Sequence, residues 1–116
     1  MTTATATWIT ACRLDDIEQE GALRFDHGSQ TFAIYRAPDD SVWCTDGLCT
    51  HEAVHLAEGL VMDYEVECPK HSGAFDYRTG EAMRLPACKN LRTYQAQVVE
   101  GEVRIALPDP ESCLPG

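Results

Sequence analysis

The sequence predicts an all-β protein, an antiparallel sandwich carrying one inserted loop-rich segment. Three observations lead there. Short stretches of strand-forming residues recur along the chain, polar turn signals separate them, and no segment is strongly helical. A run rich in Gly, Pro and His, roughly residues 46–87, interrupts the β pattern in the middle.

Taken in order, "TWITACRL" has strand composition and "GALRF" alternates before the turn signal "DHGS". "QTFAIYRA" runs into "PDDS" and "VWCTD" follows, so three strands are joined by short polar turns. After the insertion the idea repeats: "LRTYQAQVV", a turn at Glu100-Gly101, then "EVRIAL". The insertion offers "YEVEC" and "AFDY" as short strands and a turn at Thr79-Gly80. With 116 residues the chain suits one domain with one modest core. That domain is expected over residues 1–107, and "PDPESCLPG", 108–116, reads as a disordered tail.

Nineteen acidic residues against nine basic give a formal net charge of -10. Nucleic acid and anionic membrane surfaces need clustered Lys and Arg, so both are excluded as partners, and a partner with a basic patch is favoured. The N-terminus "MTTATATWIT" lacks a basic region and an apolar core of the signal-peptide kind, and no apolar run is long enough for a bilayer. The expectation is a cytoplasmic protein, in which six cysteines are metal ligands or core thiols sooner than disulfides.

"CTHEAVHLAEG", beginning at Cys49, contains two competing metal motifs. His51 to His55 spells H-E-x-x-H, the zinc-hydrolase pattern, in which two histidines one helical turn apart bind zinc and the glutamate acts as base. That reading needs a helix, which Gly59 cuts short, and a third ligand, which nothing marks. The alternative begins with the pair Cys49 and His51. A second pair, Cys68 and His71 in "CPKH", follows sixteen residues later. Two Cys-His pairs suit a Cys2His2 structural zinc module, or a [2Fe-2S] cluster in which two histidines replace two cysteines on one iron. The surroundings favour the cluster. Pro69 stiffens the second loop, "HSGAF" supplies backbone N–H groups beside it, and Leu56 and Phe75 can shield its inner side.

"CTH…L" and "CPKHSGAFD…TGEA" together resemble the Rieske iron–sulfur signature, with β blocks on both sides as in the Rieske domain plan. The resemblance implies a Rieske fold with a cluster-binding subdomain at about 46–87. It also implies one [2Fe-2S] cluster per chain, with Cys49 and Cys68 on the inner iron and His51 and His71 on the outer. His55 is then a bystander near the surface. High-potential members carry a disulfide between the two loops, at positions that are Val54 and Lys70 here, and Ser and Tyr donors to sulfur, at positions that are Gly73 and Phe75 here. Their loss implies the low end of the Rieske range, roughly -150 mV.

A short chain of this kind resembles the Rieske ferredoxins of bacterial ring-hydroxylating or demethylating oxygenase systems. The resemblance implies an electron carrier, not an enzyme, that takes single electrons from a flavin reductase to a terminal oxygenase, docking near His51 and His71. The small Rieske subunit of a nitrite reductase is the alternative on the same fold. An apolar docking face around Leu56 and Pro86 is the alternative to docking by charge, and Lys70 is a candidate contact. Elsewhere, His27 reads as solvent-exposed, Trp8 and Trp43 as core, and Cys12 and Cys44 as small buried hydrophobes. Cys113 falls in the tail. Pro86, beside Cys88, is expected to cover the cluster.

Overall fold

The computed structural model describes residues 6–49, 54–70, 73–84 and 89–108. Among the described residues, eleven strands form three antiparallel sheets. β1 (Ala6–Arg13), β11 (Glu102–Pro108) and β10 (Ala96–Val99) make the first, in the order β1-β11-β10. β2 (Gly21–His27), β3 (Gln30–Arg36), β4 (Val42–Asp46) and β9 (Thr93–Tyr94) make the second. β5 (Leu60–Met62), β6 (Glu65–Glu67), β7 (Ala74–Asp76) and β8 (Glu81–Arg84) form the third, which lies inside the insertion.

Strand β3 organises the molecule. Phe32, Ala33, Ile34 and Tyr35 are all fully buried, as a continuous apolar run in a central strand should be. The period of two sends their side chains to opposite faces. Phe32 and Ile34 join Ile17, Val42 and Cys44 of their own layer and Val103, Ile105 and Leu107 of the first sheet. Ala33 and Tyr35 join Val61, Val66 and Phe75 of the third sheet, together with Tyr77 and Leu91. One strand thus closes two cores.

The segment "LRTYQAQVV" is two strands, not one. Thr93 and Tyr94 pair with β4, whereas Ala96 to Val99 pair with β11. The carbonyl of Gln95, between them, accepts from the N–H of Ala106. The β10–β11 turn has Glu100 and Gly101 both at positive φ (52° and 81°), the pairing that matches the twist of a two-residue hairpin.

The insertion holds more strand than its sequence suggests. β5 and β8 were not expected, because "LVM" is short and "EAMR" has low β propensity; pairing with β6 and β7 organises both. A bulge in β8 opposite Ala74 and Phe75 bends the sheet edge.

Trp8 corrects an expectation. It is 42% exposed, because Ile9 takes the inward position and alternation turns Trp8 outward. Trp43 is half-buried against the Tyr35 core and donates from Nε1 to Ser41 Oγ at 2.8 Å. Cys44 is buried as expected, and burial, then Asp46, pushes its thiol up to about 12. Cys12 is only half-buried, its thiol pushed up to about 11 by burial and then Asp16. His27 ends β2 exposed to solvent. Cys88, Pro86, Cys113 and the tail from residue 109 lie outside the described residues.

Candidate metal centre

Cys49 and Cys68 stand in the core containing Tyr35 and Tyr77. Both are buried, 7% and 3% exposed, and both belong to that core together with Leu56 and Phe75, which are fully buried. Leu56 and Phe75, read from the sequence as able to shield a cluster, thus lie in one core with both cysteines.

The two loops close in the same way. The N–H of Cys49 donates to the carbonyl of Val54 at 3.0 Å, and the N–H of Cys68 donates to the carbonyl of Gly73 at 2.6 Å. Each bond reaches five residues ahead and pinches off four between, so each cysteine starts a loop of equal size. His51 lies in the first loop and His71 in the second, and both fall outside the described residues.

The stems of the first loop are tied further down. Leu48 and His55 form an antiparallel bridge, and the N–H of Leu56 donates to the carbonyl of Gly47 at 2.7 Å. The second loop emerges directly from β6 and returns into β7, so the third sheet carries it. Gly73 and Ala74 are buried on the returning side. Lys70 is exposed, and Arg84 pairs with Glu67 beside the loop at 2.9 Å.

His55 is not a surface residue, contrary to the expectation from sequence. It is 5% exposed, with Nδ1 accepting the N–H of Ala57 at 3.1 Å and Nε2 on Thr31 Oγ1 at 2.8 Å. Burial, then Arg24, holds its pKa below the ordinary histidine value. With both ring nitrogens engaged inside the protein, His55 has none left for a zinc ion. The residues after it form one 3-10 turn, Leu56–Glu58, and not the α-helix that H-E-x-x-H requires. Leu56, being fully buried, cannot contribute to a docking face; the exposed apolar side chain beside the first loop is Leu48, at 46%.

Two buried thiols on matched loops, set in an apolar core over a β frame, suit soft, sulfur-rich metal chemistry. The arrangement is that of a small β protein with a sulfur-rich candidate metal centre. The chain belongs to the Rieske [2Fe-2S] domain family, whose model matches residues 7–95. The ferredoxin component of the naphthalene 1,2-dioxygenase/salicylate 5-hydroxylase systems of a Ralstonia species is 33% identical over 103 residues, covering 89% of this chain and 98% of that one. Among solved structures, a chain in the complex of reduced oxygenase and oxidized ferredoxin of carbazole 1,9a-dioxygenase superposes with a TM-score of 0.80. Its identity is 33%, with 85% of this chain and 92% of that one covered. A chain described as an NADH-dependent nitrite reductase small subunit from Mycobacterium tuberculosis has a TM-score of 0.79 at 22% identity, covering 88% and 96%, a likeness of fold alone. Membership of the family brings with it a Rieske-type [2Fe-2S] cluster as cofactor. Among the described residues no helix is long and apolar enough to cross a membrane.

Sequence reasoning missed Tyr35, Tyr77 and Thr31. The first two alternate correctly within "FAIYR" and "AFDY" and were readable as inward; Thr31 had no local signal.

Proposed function

We propose that this chain is a Rieske ferredoxin carrying single electrons from a flavin-dependent reductase to the terminal oxygenase of an aromatic-ring-oxidising system in the cytoplasm. The cluster would be held by Cys49 and Cys68 through thiolates on the inner iron and by His51 and His71 through imidazoles on the outer. The single observation that carries the ligand set is the equal closure of the two loops, each begun by a buried cysteine with a histidine inside.

Such a cluster, when bound, supplies one-electron chemistry. The chain's own part is to hold it, to keep water from its inner side with Leu56 and Phe75, and to offer its outer side to a partner. With these four side chains completing the ligation of both irons, no open site would remain for oxygen or substrate, in keeping with a carrier. The relatives are ferredoxin components, and one is solved with its oxygenase, which favours an oxygenase over a nitrite reductase as the electron acceptor. The single domain over 1–107, with its cluster-binding part at about 46–87, belongs to the same reading. Docking near His51 and His71 is proposed with it, Leu48 lying beside the first loop.

Iron and acid-labile sulfide analysis with EPR tests the assignment. Two of each per chain are expected, with loss of the Rieske signal in His51→Ala and in His71→Ala. A colourless protein with one zinc, or either variant keeping the signal, would overturn it.

A further inference from the structure

His55 is absent from the proposed ligand set, yet it is buried, and both nitrogens of its ring are used. Because Nδ1 accepts the N–H of Ala57, it carries no proton, so the ring proton sits on Nε2. Nε2 therefore donates to Thr31 Oγ1 at 2.8 Å, and the Thr31 hydroxyl donates onward to Asp26 Oδ1 at 2.5 Å. The chain of bonds runs one way, from the foot of the first loop to a surface carboxylate on β2.

The ring also sits where it controls both stems of that loop. Its backbone bridges Leu48, the residue before Cys49, and its neighbours Val54 and Leu56 receive from Cys49 and donate to Gly47. A Cβ on Gly47 would lie 2.5 Å from Nε2 and 3.0 Å from the carbonyl of Thr31, so only glycine lets the imidazole pass over this stem to β3. The N–H of Gly47 donates to that same carbonyl at 2.9 Å. Thr31 therefore receives one stem through its backbone and the other through the His55 ring.

We infer that His55 is a positioning residue for the first cluster loop: its imidazole is a strut that locks both loop stems onto Thr31 and so sets where Cys49 stands opposite Cys68. The inference rests on the ligand set proposed above. Its consequence is specific, because a thiolate displaced by a slackened stem alters the geometry and electrostatics of the iron it binds, not merely the stability of the chain.

The test uses the iron-loaded protein and three variants, Thr31→Val, His55→Asn and His51→Ala. Thr31→Val removes the far anchor and leaves the ring and its Ala57 bond in place. His55→Asn keeps a side-chain acceptor for Ala57, as a helix N-cap does, and cannot reach Thr31. Both are expected to retain the cluster, to change its EPR g values and potential in the same direction, and to release iron to a chelator about fivefold faster, the scale of one lost hydrogen bond. Unchanged g values and potential in both, with only a lower melting midpoint, would reduce His55 to a fold-stabilising residue and overturn the inference. His51→Ala separates the two readings. If it keeps the Rieske signal the ligand set is wrong; if it loses the signal while the other two are spectroscopically wild type, only the strut is wrong. Should His55→Asn fail to fold, Thr31→Val decides alone.

Discussion

The rings of Tyr35 and Tyr77 stack in parallel, 4.5 Å between centroids and 4° between planes, and this contact joins β3 to the sheet that carries the second cluster loop. Each ring is also pinned at its hydroxyl. Thr45 Oγ1 spends its proton on the carbonyl of Asp46, so Tyr35 donates to Thr45, at 2.8 Å. Tyr77 donates to the carbonyl of Asp63 at 2.7 Å. Arg78 covers the ring of Tyr64, whose centroid is 6.3 Å from that of Tyr77, extending the aromatic group to the surface.

Tyr77→Phe removes one buried hydrogen bond and is expected to cost about 1 kcal/mol, whereas Tyr77→Ala also removes the stacked ring and is expected to cost about 3–5 kcal/mol. Thermal melts of the iron-loaded protein followed by far-UV circular dichroism would rank them. Equal midpoints for the two variants would show that the ring adds nothing beyond its hydroxyl.

Phe75 is fully buried in the core that holds both cysteines. Phe75→Tyr places a hydroxyl there, and a donor to sulfur stabilises the reduced, more negative cluster, so the potential should rise. Gly73→Ser should act in the same direction. Protein-film voltammetry reads the shift. If the Tyr variant melts lower with no rise in potential, its hydroxyl has found no sulfur and is merely buried unpaired.

His55 ties stability to pH. Burial and Arg24 lower its pKa while Asp26 and Glu58 act in the opposite sense, and the net shift is downward from 6.5. A depressed folded pKa means that the unfolded chain takes up the proton first. The stabilisation from His55 is therefore complete above about pH 6.5 and is lost as the pH falls below it. Melting midpoints should drop between pH 7 and pH 5.5 by more in the wild type than in His55→Asn, which has nothing to titrate at that position. Parallel curves would assign the acid sensitivity to other groups.

With a net charge of -10, association with a basic partner gains rate from long-range attraction, which salt screens over about 8 Å at physiological ionic strength. Stopped-flow reduction by the cognate reductase should slow as salt is added while the potential stays nearly constant. Rates indifferent to salt would instead favour an apolar contact around Leu48, and Leu48→Ser would then be the variant that slows transfer.

The proposed half-sites were legible because each sets its two residues a short way apart in sequence, Cys49 with His51 and Cys68 with His71. The β blocks were legible for a related reason, since alternation and turn residues are local. What escaped depended on distant partners. The role of His55 is set by Thr31, twenty-four residues earlier, and nothing in "HEAVH" indicates it. β8 is a strand only because β7 lies beside it. The face of Trp8 was ambiguous because Ile9 is apolar as well, so alternation alone could not choose between them.

Strand β3 has a consequence for how the molecule opens. Since Phe32 and Ile34 seal one core and Ala33 and Tyr35 the other, neither half can loosen without exposing apolar surface of its neighbour. Breathing confined to the iron-bearing end is thereby suppressed, and the amides of β3 should trade their hydrogens for deuterium only when the whole chain unfolds. Opening that reaches β3 would then release the cofactor together with the fold, so a substitution far from either loop, such as one at Ile34, adds that route to local loss at the loop stems.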